Sequence, residues 1–217
     1  QPLSSWSRAD WIPRAKALGA APFAAAATEA ARPEDERIRA LEVLVEVFGG
    51  IGRETAQQVM ATPGDLTLTR FAWALARSPA SPERDAQLAA LTGQGSVAVR
   101  RAAWEGLLAL PSVAAVSPDW KNGFASSDRR VRTAAISVAR RSGFVPPLED
   151  ARQPRIALAK LRAASGALDV RAALEIFRST SEPELKLEAV RLLQIGLGDL
   201  RLEGGKDETE TGYAALA

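Results

Sequence analysis

Apolar residues along the chain recur at three- and four-residue spacing rather than in alternation. Val99, Ala103, Leu107 and Leu110 form one such series, and Val131, Ala135 and Val138 another. That spacing places each series on one face of an α-helix. Alanine and leucine dominate every periodic segment, with no useful run of alternating Val, Ile, Thr or aromatic residues, so no strand is expected. The helical segments also resemble one another. Five fit one template: an apolar or acidic residue, a basic residue or Thr, two free positions, Ala, then a large apolar residue. They are Glu36-Arg37 with Ala40-Leu41, Leu68-Thr69 with Ala72-Trp73, Val99-Arg100 with Ala103-Trp104, Val131-Arg132 with Ala135-Ile136, and Leu185-Lys186 with Ala189-Val190. A degenerate sixth copy opens at Pro154-Arg155, with Leu158-Ala159 in swapped order. The basic or Thr positions are then 37, 69, 100, 132, 155 and 186, a period of 31 to 32 with one shortened unit.

Local signals bound these helices. Asp65, Ser96, Asp128 and Glu182 stand four residues before the basic or Thr position, and the first three are residue types that accept the free amide protons of a first helical turn. Stops are expected at Gly49-Gly50, Ser78-Pro79, Pro111, Gly143, and Gly196 or Gly198. Between them, shorter helical runs are predicted over residues 22–31, 53–61, 83–91, 113–124 and 168–177. Two helices per ~31 residues make an antiparallel hairpin, and stacking buries the face that no hairpin could bury alone. The recurrent alanine suits helices approaching to ~8–10 Å, where only a small side chain fits between backbones. Residues 1–19, with Trp6 and Trp11, are expected to cap the stack, residues 20–198 to form the repeat domain, and residues 199–217 to be a flexible acidic tail or linker.

The stretch Val99-Arg100-Arg101-Ala102-Ala103-Trp104-Glu105-Gly106-Leu107, after an N-capping Ser, resembles the HEAT repeat of bacterial proteins. The likeness covers roughly residues 20 to 198. It implies an all-α fold, a right-handed α-solenoid of five to six HEAT-like helical hairpins. Such solenoids serve adaptors, lyases, glycosylases and scaffolds alike, so the likeness implies little about activity. Thr69 in place of a basic residue, Ala76 and Ala139 in place of Leu, and the short fifth unit depart from the pattern, the last suggesting a bend near residues 143–166. The segments Ser5-Trp6-Ser7-Arg8-Ala9-Asp10-Trp11 and Leu192-Leu193-Gln194-Ile195-Gly196-Leu197-Gly198-Asp199 are similar to the HEAT segment of large exported planctomycete-type proteins that join a propeller, HEAT repeats and a c-type cytochrome module. That likeness implies an exported or periplasmic parent whose haem lies outside this chain, which has no Cys-x-x-Cys-His.

Composition narrows the chemistry. The 217 residues include no cysteine and no histidine, which excludes disulfides, thiolate nucleophiles, Cys/His zinc sites and imidazole acid–base catalysis within the chain. With 28 Lys+Arg against 26 Asp+Glu the net charge is +2, so no nucleic-acid partner and no membrane partner or insertion is implied. Arg8, Asp10, Pro13, Arg14 and Lys16 interrupt the first residues as a signal peptide would not allow. The alanine-rich run 20–27 is far shorter than the ~20 residues of a spanning helix. The opening Gln fits a mature form or a piece of something larger. Gly49-Gly50-Ile51-Gly52 and Gly204-Gly205 lack the strand and the Lys-Ser/Thr pair of a phosphate loop.

Candidate binding residues are therefore basic. Arg70, Arg77, Arg101, Arg129, Arg130, Arg132 and Arg140 make the densest basic set. The column Arg37, Arg100, Arg132 and Lys186 is either a phosphate-binding ridge or, as stacked hairpins favour, a set of partners for acidic cap residues such as Asp65, Asp128 and Glu182. Trp73 and Trp104 are either an aromatic platform or, by their register with Leu41, Ile136 and Val190, inter-repeat core. Carboxylate clusters such as Glu34-Asp35-Glu36 and Glu149-Asp150 fall at helix starts or in a loop, where the helix dipole and solvation account for them. The reading is a non-catalytic protein–protein interaction or scaffold module without cofactor, not an enzyme, whose partner is another protein or another domain of a larger parent chain. The alternative is a HEAT-like nucleic-acid or polyanion binder. A glycosylase-type enzyme would additionally need a buried carboxylate beside exposed aromatics in a basic groove. Elemental analysis of untagged protein is expected to show no stoichiometric zinc, iron or copper; any of them would overturn the reading of the composition.

Overall fold

The second helix of a hairpin starts where a side-chain oxygen meets its first-turn amides. Ser96 accepts from Val99 N at 3.5 Å, Asp128 from Val131 N at 2.9 Å and Asp169 from Ala172 N at 3.0 Å; Asp169 gives a shorter first helix the same start. The computed structural model describes residues 8–62, 64–113, 116–144, 153–163 and 169–202, with side chains to 195. Among the described residues there are twelve helices and no strand, and the chain divides into two compact units, Gln1–Asp119 and Trp120–Ala217.

The first unit holds α1 (Arg8–Leu18), α2 (Ala21–Thr28), α3 (Glu34–Phe48), α4 (Arg53–Ala61), α5 (Asp65–Arg77), α6 (Pro82–Leu91) and α7 (Val97–Ala109). Its packing forms two rows. The longer helices lie in sequence, α3 on α5 and α5 on α7, while α2 packs on α4 and α4 on α6. Rungs α2–α3, α4–α5 and α6–α7 join the rows, and α1 lies against α3. Ala40, Ala72 and Ala103 are all buried, as their recurrence predicts. A close approach falls one turn beyond Ala103: a Cβ on Gly106 would stand 2.9 Å from Leu88 Cδ2 and 3.4 Å from the Ala72 carbonyl oxygen. Trp104 is fully buried, so its register with Leu41 is its role in the core.

Neighbouring units also share their caps. Asp65 does not cap α5; it is the exposed first residue of that helix, and the N-cap is Gly64 at φ 139°. A Cβ at Gly64 would collide with Glu34 Oε1, and a side chain rarely tolerates that φ. The acceptor comes instead from α3, where Glu34 Oε1 accepts from Thr67 N and Thr67 Oγ1, both at 3.2 Å. At the other ends, Ser78 Oγ accepts from Ile51 N at 2.9 Å and donates to Ala74 O. Thr92 Oγ1 accepts from Asp119 N at 2.8 Å and donates to Ala89 O. Each hydroxyl closes one helix while fixing a turn roughly one repeat away.

The second unit holds α8 (Trp120–Ala125), α9 (Arg129–Ser142), α10 (Pro154–Ala163), α11 (Val170–Ser179) and α12 (Pro183–Leu202). Here α10 packs on α8, α9, α11 and α12, and α11 pairs with α12. Leu158, Ile176, Leu185 and Ala189 form one core cluster, and Val170, Ala173, Leu174 and Leu193 another. The helix expected over 113–124 is confined to Trp120–Ala125. Pro118 pushes Ser117 toward extended backbone and delays the helix until it is past. Residues 116–119 are accordingly irregular. The stop expected at Gly196 or Gly198 does not occur; α12 runs on to Leu202, since an isolated glycine costs a helix only about 1 kcal/mol and no proline follows. Trp6, residues 145–152, and residues 203–217 with most of the expected tail, lie outside the described residues.

Trp104→Ala is expected to cost about 3–5 kcal/mol through the cavity it leaves, and Ala103→Leu about 1–3 kcal/mol through overpacking. Urea-unfolding midpoints check both, and wild-type midpoints in the two variants would refute the register.

Candidate functional site

The α5 sequence separates two stripes. Phe71, Ala72, Ala74 and Leu75 are buried, which leaves Arg70, Trp73 and Arg77 at three- and four-residue spacing on the remaining face. Both guanidiniums lie over the Trp73 ring, each 4.5 Å from its centroid. The negative π-face of an indole is the surface that holds a cation best. Arg70 also forms an ion pair with Glu42 of α3, whose side chain is nearly buried. Arg77 lies exposed; its Nη1 is 3.4 Å from the Trp73 carbonyl oxygen, and among the described residues no carboxylate reaches ion-pair distance of it. Trp73 thus departs from the core role expected of it. Phe71 and Leu75 already fill the interior of α5, and the two arginines hold the indole half-buried at the surface. On the adjacent α7, Arg101 is partly exposed and meets Glu105 only at 4.0 Å.

The other candidates belong to the second unit. Arg129, Arg130 and Arg140 are exposed on α9. Arg132 is not available at the surface: it is 2% exposed, donates through Nη1 to the Ser126 and Ser127 carbonyls at 2.8 and 3.0 Å, and reaches Glu188 Oε1 from Nη2 at 2.9 Å. Arg162 approaches Glu188 Oε2 at 3.6 Å, so one nearly buried carboxylate ties α9, α10 and α12 together. Glu188 was not singled out in the sequence, although its position one turn after Leu185 and next to Ala189 puts it on the buried face.

The basic column is structural in varied ways. Arg37 is buried with Nε donating to Ala27 O at 3.4 Å, Arg100 donates to Gly95 O at 2.6 Å, and Lys186 lies 5.6 Å from the Phe177 ring. Of the expected acidic partners, Glu182 pairs with Arg155 of the degenerate copy, whereas Asp128 caps its own helix. Arg100 and Arg132 reach carbonyls of the turn before their own helix, and Arg37 reaches one in the last turn of α2.

Sequence reading also missed an aromatic stack. Gly143 ends α9 in the left-handed conformation, and the next residue, Phe144, lies 4.3 Å from Trp120 with the rings 6° from parallel. Phe124 joins at 5.8 Å from Trp120. Trp120 and Phe124 share α8 at four-residue spacing, but Phe144, beyond the end of α9, carries no spacing signal toward them.

A groove of about 600 Å³ in the first unit runs between α6 and residues 116–117, lined mainly by Ala80, Pro82, Ala86, Ala90 and Val116. Its carboxylate, Asp85, is held by Arg84 at 2.6 Å. Among the described residues no three His, Cys, Asp or Glu side chains cluster as metal ligands would, and no helix is long and apolar enough to cross a membrane. No protein-family model matches the chain, and neither does any curated protein or solved structure.

Removing Glu188 takes the close carboxylate from buried Arg132, leaving it two carbonyls and Glu184 at 4.0 Å, so Glu188→Ala is expected to cost about 3 kcal/mol. Arg77→Ala, at the surface, is expected to stay within about 0.5 kcal/mol. Equal urea midpoints for the two variants would contradict this assignment of interior and surface cations.

Proposed function

We propose that the chain is a right-handed α-solenoid of five to six HEAT-like hairpins acting as a non-catalytic interaction or scaffold module for another protein or another domain of a larger parent chain. The observation that carries this is the burial of the template alanines 40, 72, 103, 135 and 189, each on a second helix, together with the consecutive packing of α3, α5 and α7 in the first unit. A row of parallel-register helices leaves a regular outward face whose side chains neither fold the chain nor are consumed by it, which suits partner recognition. The polyanion-binding alternative draws on exposed Arg129, Arg130 and Arg140 of α9. It is weaker, since Glu42 neutralises Arg70 and Arg132 is spent in the interior.

The test is a photo-crosslinking side chain introduced in cells, at Glu105 on a second helix and at Glu83 on a first helix, both exposed. A discrete protein adduct from Glu105 and none from Glu83 is the expected outcome. Equal yields from both faces, or adducts dominated by nucleic acid, would overturn the proposal.

A further inference from the structure

We propose that Arg77 and Trp73 of α5, with Arg101 of the adjoining α7, form a docking point for the carboxylates of an acidic protein segment; this rests on the interaction-module reading and names its partner chemistry. Three observations converge. First, Arg77 is an exposed cation without a carboxylate among the described residues, whereas its neighbour Arg70 is neutralised by Glu42. Second, the guanidinium lies over the Trp73 ring at 4.5 Å, with Nη1 3.4 Å from the Trp73 carbonyl oxygen. An arginine's planar fork matches a carboxylate in two parallel hydrogen bonds. Third, Arg101 occupies the repeat position equivalent to Arg70 on the helix packed against α5, and its contact to Glu105 at 4.0 Å is loose enough to exchange for a better acceptor.

The same geometry disfavours a nucleic acid. Base stacking needs a free aromatic face, and the Trp73 ring already carries two guanidiniums. Glu105, exposed on α7 beside Arg101, opposes a continuous phosphate backbone, whereas Glu42 and Glu46 are already paired with Arg70 and Arg8. The remaining exposed face of α5 and α7 therefore selects an acidic segment by local pairing.

A random peptide display library panned on the whole chain supplies the probe. Enriched peptides are expected to carry at least two carboxylates, and, labelled with fluorescein, to bind Arg77→Gln about tenfold more weakly than wild type, a difference of about 1.4 kcal/mol. Arg77→Lys, which keeps the charge but loses the fork, is expected to recover only part of the affinity, and Arg129→Gln in the other unit to match wild type. Unchanged urea midpoints show that these variants are folded. Peptides lacking carboxylates, or binding that ignores Arg77, would remove this site and leave the interaction module standing. A duplex oligonucleotide that competes through Arg77 more tightly than the peptides, or a library without any binder, would also overturn it. Loss of face preference in the crosslinking experiment would instead remove the module itself.

Discussion

The close approach of successive long helices is the constraint on which the first unit depends. At the α5–α7 contact Ala72, Ala103 and Gly106 are all buried, and one added methyl at Gly106 would displace the end of Leu88 and come into contact with the Ala72 carbonyl. Small residues there let the backbones come together, and the large residues beside them, Leu41, Phe71, Trp104 and Leu107, then fill the space on either side. The small position recurs near every thirty-first residue, and Ala40, Ala72 and Ala103 are buried in α3, α5 and α7, which pack in that order.

Given that spacing, helix ends become shared property. Glu34 of α3 caps α5, Ser78 at the end of α5 holds the Ile51 amide, and Thr92 at the end of α6 holds the Asp119 amide. A buried backbone amide left without an acceptor is costly, so these bonds help fix the register between successive helices within the first unit. They also explain why Gly64 can stand where a capping side chain was expected: the acceptor arrives from the preceding unit and needs the space a Cβ would take.

Charge is distributed by the same geometry. Arginines that face a neighbouring turn or helix are consumed there: Arg37 and Arg100 by carbonyls, and Arg132 by the Ser126 and Ser127 carbonyls and Glu188. On the outward stripe both Arg70 and Arg77 lie over Trp73, but Glu42 pairs with Arg70 while Arg77 stays exposed. A near-neutral chain thereby presents a local cationic point.

The all-helical class, the bounds of α4 and the burial of Ala40, Ala103 and Trp104 were legible from spacing, because a helical period fixes which residues share a face whatever lies opposite. Pro118 is equally legible: it disfavours helix at Ser117 and so interrupts the apolar periodicity of 113–124. What spacing could not decide was the environment of residues on the boundary between stripes. Trp73 and Trp104 hold the same register, yet one is at the surface and the other in the core. Arg132 and Arg140 lie on the same helix, yet one is buried against Glu188, which is 56 residues away in sequence. Sequence determines the face a residue shares with its own helix; only tertiary packing determines what stands opposite that face, and burial and ion pairing depend on both.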